Sequence, residues 1–168
     1  GIVGARNCSQ KAIENATLVS QRLKQRYCIV SGLAKGIDAA SHWASLDKDT
    51  IGIIGCGIDR IYPYVNKELF LKMYATQLVI SEYPLGVAPY ARNFPWRNRL
   101  IAALSESLIV IEATIKSGTM LTVNEMLELS KPVYCLPTAF NDVRYQGCNY
   151  LISQGANILS SEKELEYL

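Results

Sequence analysis

The sequence predicts an α/β fold in a single domain, with a doubly wound, mostly parallel sheet of extended Rossmann-like type. Short apolar, β-branched runs alternate with helical patterns along the whole chain. Such alternation implies right-handed crossovers between parallel strands. The strand-like runs are also continuously hydrophobic, which is typical of strands covered on both faces. A length of 168 residues suits one domain with a sizeable core.

The predicted elements follow one another in a regular order. Strands are predicted at residues 2–3, 28–30, 51–54, 78–81, 108–111 and 133–136, with a weaker one at 157–159. Helices are predicted at residues 10–25, 37–46, 66–74, 97–104, 117–129 and 148–154. In the first helix one face is mostly apolar, and Ser9 is placed to cap its N-terminus.

Composition excludes several classes of protein. Hydrophobic residues make up 49% and charged residues 19% of the chain, as in globular and not in disordered proteins. No apolar run approaches the roughly 18 residues that span a membrane, so no membrane association is expected. The five cysteines are odd in number and widely spaced. This pattern indicates a reduced, cytoplasmic protein without structural zinc.

The first residues and the net charge add two further expectations. The chain opens at Gly1 inside an apparent strand, and we expect it to be part of a longer chain with flanking domains. The net charge of +2 gives little support for nucleic-acid binding by itself, so the local distribution of charge has to decide.

The segment Ser31-Gly32-Leu33-Ala34-Lys35-Gly36-Ile37-Asp38 joins a predicted strand to a predicted helix. Glycines at such a junction let the backbone approach a ligand, and the free N–H groups of the helix N-terminus favour an anion. The spacing matches neither the dinucleotide fingerprint nor the P-loop. A tight turn without any ligand remains the alternative.

Ligands of doubly wound sheets bind beyond the carboxyl ends of the strands. Nearly every predicted strand is followed at this edge by a segment that contains a glycine or a cation. These segments include residues 4–6, 31–38, 55–59 and 112–119. Among them, Lys116-Ser117-Gly118 opens a helix, so that an anion site and a plain N-cap are both compatible with it.

A long connection at residues 85–93 leads to Phe94-Pro95-Trp96-Arg97-Asn98-Arg99. Long loops in small domains are usually functional or mobile. Arginines interleaved with aromatic residues suit phosphates together with unstacked bases. The alternative is that the aromatic side chains anchor the loop while the arginines are solvated.

Taken together, these segments resemble the DprA/Smf family of DNA-processing proteins over essentially the whole chain. The matching stretches are 31–38 with His42, 55–63 (GCGIDRIYP), 81–86 (SEYPLG), 94–105 (FPWRNRLIAALS), 112–122 (EATIKSGTMLT) and 147–156 (GCNYLISQGA). Two departures concern Pro137-Thr138, where the family usually has Pro-Gly, and the loop at 139–146, which lacks the family's usual pattern.

The resemblance implies a Rossmann core that binds single-stranded DNA cooperatively and acts as a homodimer without catalysis. It further implies a role in carrying incoming DNA during natural transformation and in loading the RecA recombinase onto it. No cofactor, metal or catalytic residue is expected.

Pattern and resemblance together assign thirteen residues to DNA binding. Cationic side chains would contact phosphates, and backbone N–H groups of the glycine loops would assist them. The assigned residues are Arg6, Ser31, Gly32, Lys35, Gly36, Gly57, Phe94, Arg97, Asn98, Arg99, Lys116, Ser117 and Gly118. Arg97 and Arg99 point to different helix faces, so one of the two is expected to be structural.

Asp38, Asp59 and the lone His42 are expected to organise loops or packing. Tyr62 is expected to pack within its loop, with base stacking as the alternative.

An enzymatic alternative comes from nucleotide phosphoribohydrolases of the lysine-decarboxylase-like family. Their signature is P-G-G-x-G-T-x-x-E with a catalytic glutamate. Here Gly118-Thr119 is present without the preceding Pro-Gly-Gly, and Glu125 follows six positions after Thr119. A nucleotide-sensing domain without catalysis is a third possibility, although it gives no reason for the cluster at residues 94–99.

Overall fold

The computed structural model describes residues 1–142 and 145–168 of the chain. The strands are β1 (Ile2–Val3), β2 (Ile29–Ser31), β3 (Thr50–Ile53), β4 (Leu78–Ile80), β5 (Leu108–Val110), β6 (Val133–Cys135) and β7 (Asn157–Ile158). The helices are α1 (Gln10–Leu23), α2 (Ile37–Ser45), α3 (Lys67–Thr76), α4 (Asn93–Leu104), α5 (Gly118–Glu128) and α6 (Gln146–Ser153). Short 3₁₀ turns at Tyr64–Asn66 and Glu162–Tyr167 complete the described elements. Every predicted strand and helix is present.

All strand pairs are parallel, in two hydrogen-bonded ladders. One ladder has the order β1-β5-β6-β7 and the other β2-β3-β4. Ser31 connects them, because its Oγ donates a hydrogen bond of 2.6 Å to the carbonyl oxygen of Ile2. The strands therefore run in the order 4-3-2-1-5-6-7, and the direction of winding reverses between β1 and β5. The predicted doubly wound fold is confirmed.

The central strands carry apolar residues on both faces of the sheet. Ile2, Ile29 and Ile109 pack with α1 and α2 on one face. Their neighbours Val3, Val30 and Val110 pack with α4, α5 and α6 on the other face. Since successive side chains of a strand point to opposite faces, these continuous hydrophobic pairs build two cores at once.

Helix ends explain where the structure and the sequence prediction differ. Ser9 caps α1 as predicted, and its Oγ accepts a hydrogen bond of 3.1 Å from the N–H of Ala12. Helix α4 begins at Asn93, four positions before the predicted start at Arg97. Pro95 is tolerated there because the first-turn N–H groups of a helix have no partner inside the helix.

The segment that departs from the family pattern is partly described. Thr138 is held by Asn149, whose Oδ1 accepts from the Thr138 N–H at 2.9 Å and whose Nδ2 donates to its carbonyl oxygen at 3.0 Å. The departure predicted for residues 139–146 includes positions 143–144, which lie outside the described residues. Among the residues that the structure describes, no helix has the length and apolarity that crossing a membrane requires.

Candidate functional site

An open groove of about 530 Å³ lies at the carboxyl ends of β1 and β5, where the winding reverses. The loop after β1 forms one wall, and the first turns of α4 and α5 form the others. Its lining includes Gly4, Ala5, Arg6, Asn7, Asp38, Tyr62, Pro89, Ala91, Phe94, Pro95, Arg97, Asn98, Ser117, Gly118 and Thr119. This is the position at which open α/β sheets bind their ligands.

The exposed wall of the groove combines a cation with two aromatic rings. Arg6 is exposed, and its guanidinium carbon lies 5.3 Å from the centre of the Phe94 ring. The ring of Tyr62 lies 5.4 Å from that of Phe94, centre to centre. Tyr62 therefore contributes to the groove as well as to its own loop. Such a wall offers one positive charge and two faces for a planar ligand.

Arg97 lies beneath this wall and is only 4% exposed. Its Nη1 donates to the carbonyl oxygens of Gly32, at 2.7 Å, and of Ile53, and its Nε donates to Asn98. Burial lowers the pKa of the guanidinium to about 10, against the opposing attraction of Asp38. Arg97 thus joins α4 to the ends of β2 and β3, and of the two arginines it is the structural one.

The loop from Ser31 to Asp38 holds an anion of its own. The Asp38 carboxylate accepts hydrogen bonds from the N–H groups of Gly32 at 3.2 Å and Ala34 at 3.4 Å. Burial raises the pKa of this carboxyl, while the positive charge of Arg97 opposes the rise. Because Asp38 takes the N–H group of Gly32, and Ser31 is fully buried, neither residue is available to an external phosphate. The turn without an external ligand, which the sequence left open, fits this part of the loop.

Gly36 and Gly57 are required by close backbone contacts. Gly36 has a φ of +77°, and a side-chain carbon there would lie 2.4 Å from the carbonyl oxygen of Ala5. A carbon at Gly57 would lie 2.7 Å from the carbonyl oxygen of Pro84. Gly36 therefore positions the loop that carries Arg6.

Two further side chains have the structural roles expected of them. Asp59 accepts a hydrogen bond of 2.8 Å from the N–H of Gly86 and so organises its loop. The fully buried His42 shares a hydrogen bond of 2.7 Å between its Nδ1 and Oγ1 of Thr50. Burial lowers the pKa of His42 to about 3.

The N-terminus of α5 faces the groove with unused hydrogen-bonding capacity. Ser117 is the N-cap residue, but its side chain makes no capping hydrogen bond. Its Oγ is buried without a partner in the part of the chain that the structure describes. Gly118 has open space where a side chain would project. Lys116 is exposed beside them, so this corner can receive an anion.

A second hollow of about 480 Å³ adjoins the groove and shares Arg6 and Asn7 with it. Lys35 and Asn66 line this hollow. The Asn66 Nδ2 donates to the carbonyl oxygens of Leu33 at 3.0 Å and Ala34 at 3.1 Å, which fixes the glycine loop against the turn before α3. Sequence reasoning could not identify Asn66, because these partners lie more than thirty positions away.

Arg99 and Asn98 were both predicted to contact DNA, but Arg99 lies outside the groove and Asn98 is buried in its wall. Arg99 Nη2 binds both carboxylate oxygens of Glu82, at 2.5 and 2.6 Å, and the Arg99 guanidinium carbon lies 4.6 Å from the centre of the Trp96 ring. Neither Arg99 nor Trp96 is among the groove-lining residues. Asn98 does line the groove but is 8% exposed, and its Nδ2 donates to the carbonyl oxygen of Gly118 at 3.3 Å.

The charge distribution favours a polyanion at this edge of the sheet. Four cations at this edge have no carboxylate oxygen within 4.0 Å among the described residues: Arg6, Lys35, Arg92 and Lys116. The same is true of six other lysines and arginines in the described ranges. Of the acidic residues in the described ranges, Asp38 alone lines the groove, and it is buried. Glu125, on which the enzymatic alternative depends, lies outside the groove lining.

Comparison with known proteins matches nearly the whole chain to one protein family. A family model described as DNA recombination-mediator protein A matches residues 1–167. The chain is 40% identical over 166 residues to DNA processing protein DprA of Streptococcus pneumoniae, covering 98% of this chain and 59% of that protein. It is 42% identical over 168 residues to protein Smf of Synechocystis, covering 98% of this chain and 42% of that protein.

A solved structure is similar over nearly the whole chain. It concerns the single-stranded DNA binding mode of DNA processing protein A from Helicobacter pylori, with a TM-score of 0.92 and 30% identity over 99% of this chain and 77% of the other. The chain thus spans about half the length of the two curated relatives and most of this solved chain.

Proposed function

The chain belongs to the DNA recombination-mediator protein A family, and on that premise we propose that it binds single-stranded DNA in the groove between β1 and β5. The resemblance to the DprA/Smf family seen in the sequence is confirmed by the family model and by the relatives. The H. pylori relative, whose structure concerns its single-stranded DNA binding mode, supports the choice of ligand.

The observation that carries the proposal is the pairing of Arg6 with the Phe94 ring at 5.3 Å in an open groove. A phosphate can bind the outer edge of the guanidinium while an adjacent base stacks on Phe94 or Tyr62. Aromatic stacking needs bases with a free face, which a single strand offers and a duplex does not. The groove therefore favours single strands.

The remaining cations extend this contact along a strand. Lys35 lies in the adjoining hollow, and Lys116 lies beside the N-terminus of α5. Each phosphate that such a cation neutralises releases counterions, which supplies affinity that falls as salt rises. The backbone N–H group of Gly118, at the open N-terminus of α5, can add a hydrogen bond.

Two buried residues of the assigned set, together with the loop-organising Asp38, act by holding the groove in shape. Arg97, Asn98 and Asp38 join α4, the strand ends and the start of α5. The protein is proposed to bind DNA without catalysis. In support, Asp38 is bonded to backbone N–H groups and His42 lies in the core with a lowered pKa, so neither suits proton transfer in the groove.

The biological setting rests on the family. We propose that the protein acts in DNA processing during natural transformation and recombination, works in the cytoplasm as a homodimer, and delivers the strand to the RecA recombinase. The name of the S. pneumoniae relative, DNA processing protein DprA, supports the first of these statements.

The test is a fluorescence anisotropy titration with one labelled oligonucleotide as single strand and as duplex, at several salt concentrations. The expected result is tighter binding of the single strand and a log–log salt slope of about −0.7 for each contacted phosphate. Equal affinity for both forms, or affinity that does not depend on salt, would refute the proposal.

The enzymatic alternative has its own test. Incubation of the protein with nucleoside monophosphates is expected to release no free base above the background without protein. Release of base with turnover would replace the binding function by a hydrolytic one.

A further inference from the structure

Trp96 forms one unit of contacting side chains with Arg99 and Glu82 on the outer surface of α4. The Arg99 guanidinium carbon lies 4.6 Å from the centre of the Trp96 ring. Its Nη2 is held by both Glu82 carboxylate oxygens at 2.5 and 2.6 Å. A guanidinium fixed at one end by a carboxylate is a stable support for the ring that it covers.

This unit adjoins the groove. Pro95, the residue before Trp96, lines the groove, as do Phe94 and Arg97. Trp96 and Arg99 are three positions apart in α4, so their side chains share one face of the helix. This face lies next to the one that lines the groove. Glu82 follows β4 closely, so the unit lies at the same carboxyl-end edge of the sheet, on the β4 side of the groove.

The chemistry of the unit differs from that of the groove. Glu82 neutralises Arg99, which makes this arginine a poor phosphate ligand. Trp96 is nevertheless 61% exposed, so most of the indole surface is accessible to a ligand. An exposed, pre-oriented aromatic surface beside a cationic groove suits a nucleobase, because every base has a π-face.

We propose that Trp96 is a stacking platform for one nucleobase of a single strand that leaves the groove on the β4 side. Arg99 and Glu82 act as positioning residues that hold the indole. The inference rests on the proposed function, since it requires a strand in the groove. It goes further because it assigns a base-binding position outside the groove and the side on which the DNA leaves the groove.

Trp43 provides a built-in control. It is 40% exposed, and Lys72 Nζ lies 4.8 Å from the centre of its ring, so it too is an indole beside a cation. It lies six positions into α2, about 9 Å along the helix axis from the carboxyl-end edge. A strand in the groove is not expected to reach it.

The test uses Trp43→Phe protein, in which Trp96 is the single tryptophan, and oligothymidylate of about 12 nucleotides, a length within known single-strand site sizes. Stacking is expected to quench the Trp96 fluorescence on titration. An oligomer of the same length with an abasic sugar-phosphate backbone is expected to bind through its phosphates without quenching. Equal quenching by the abasic strand would overturn the platform.

Affinity provides the second readout. Trp96→Ala is expected to weaken oligothymidylate binding about five- to fifty-fold, with Trp96→Phe restoring most of it. Trp43→Ala is the matched control and is expected to bind as the unsubstituted protein does. Unchanged affinity of Trp96→Ala, or an equal loss on the abasic strand, would refute base stacking and leave Trp96 to another partner.

The DNA-binding groove and the Trp96 platform can be refuted separately. If Trp96→Ala binds normally while Arg6→Glu does not, the groove stands and the platform falls. If the unsubstituted protein binds no oligonucleotide at all, the proposed function itself falls, and the platform falls with it.

Discussion

The guanidinium of Arg97 donates a hydrogen bond of 2.7 Å to the carbonyl oxygen of Gly32, a residue 65 positions earlier in the chain. The N–H group of the same glycine donates to Asp38 at 3.2 Å. A side-chain carbon at Gly32 would lie 2.6 Å from Arg97 Nη1 and 2.7 Å from Asp38 Oδ2. One glycine thus separates a buried cation from a buried anion, and both are satisfied by its backbone.

Replacing Arg97 by methionine is expected to lower the free energy of unfolding by about 3–5 kcal/mol, because it leaves buried carbonyl oxygens without donors and Asp38 without a nearby cation. Urea denaturation followed by circular dichroism measures the change. The variant is expected to lose DNA binding at the same urea concentrations at which it unfolds.

Arg99→Met is the matched control for Arg97. The Arg99–Glu82 pair is partly exposed, with side-chain exposure of 35% and 38%, and such pairs contribute about 1 kcal/mol or less. Equal destabilisation by the two substitutions would contradict the assignment of Arg97 as the structural arginine.

Gly36 and Gly118 form a second matched pair. Gly36→Ala is expected to destabilise the protein by more than about 2 kcal/mol, since its positive φ disfavours a side chain and the new carbon meets the Ala5 carbonyl oxygen. Gly118→Ala has open space and is expected to leave stability unchanged or raise it by up to about 1 kcal/mol. Thermal unfolding of both variants tests this, and similar melting temperatures would contradict it.

His42 makes stability depend on pH. Its pKa falls from 6.5 to about 3 on folding, so the unfolded chain binds a proton between these values that the folded chain does not. The contribution is fully present above pH 6.5 and is lost as the pH falls toward 3, by about 3 kcal/mol at pH 4. Urea titrations from pH 7.5 to 4 measure the loss.

His42→Asn is the control for that pH dependence. Asp38 has a raised pKa, so its protonation stabilises the folded state as the pH falls, but it does so in both proteins and cancels in the comparison. The variant is expected to be less stable at pH 7.5 and to lose less stability on acidification. Parallel pH profiles for the two proteins would refute the role of His42.

The fold could be predicted from the sequence because each short strand is marked by a local pattern of apolar residues. Pairs such as Ile2–Val3 are apolar on both faces, and the loops after them carry glycine or a cation. The start of α4 was predicted late because Pro95 looks like a helix breaker, whereas in a first turn it removes no hydrogen bond.

The site was harder to predict, because burial decides which charges are free. Arg97 and Arg99 are two positions apart, yet one lies in the core and the other pairs with Glu82. Similarly, the glycine loop has the features of an anion site, but its own Asp38 occupies it. These outcomes depend on partners that are distant in sequence, so local spacing could not reveal them.

The DNA site in the groove is tested by comparing Arg6→Glu with Lys48→Glu in the anisotropy titration with single-stranded DNA. Both residues are exposed, and both substitutions change the charge equally, but Lys48 precedes β3 at the opposite edge of the sheet. If the DNA site lies in the groove, Arg6→Glu weakens binding at least about ten-fold and makes the salt slope shallower by about 0.7 or more, while Lys48→Glu has little effect. Equal losses from the two substitutions, or unchanged binding by Arg6→Glu, would contradict a DNA site in the groove.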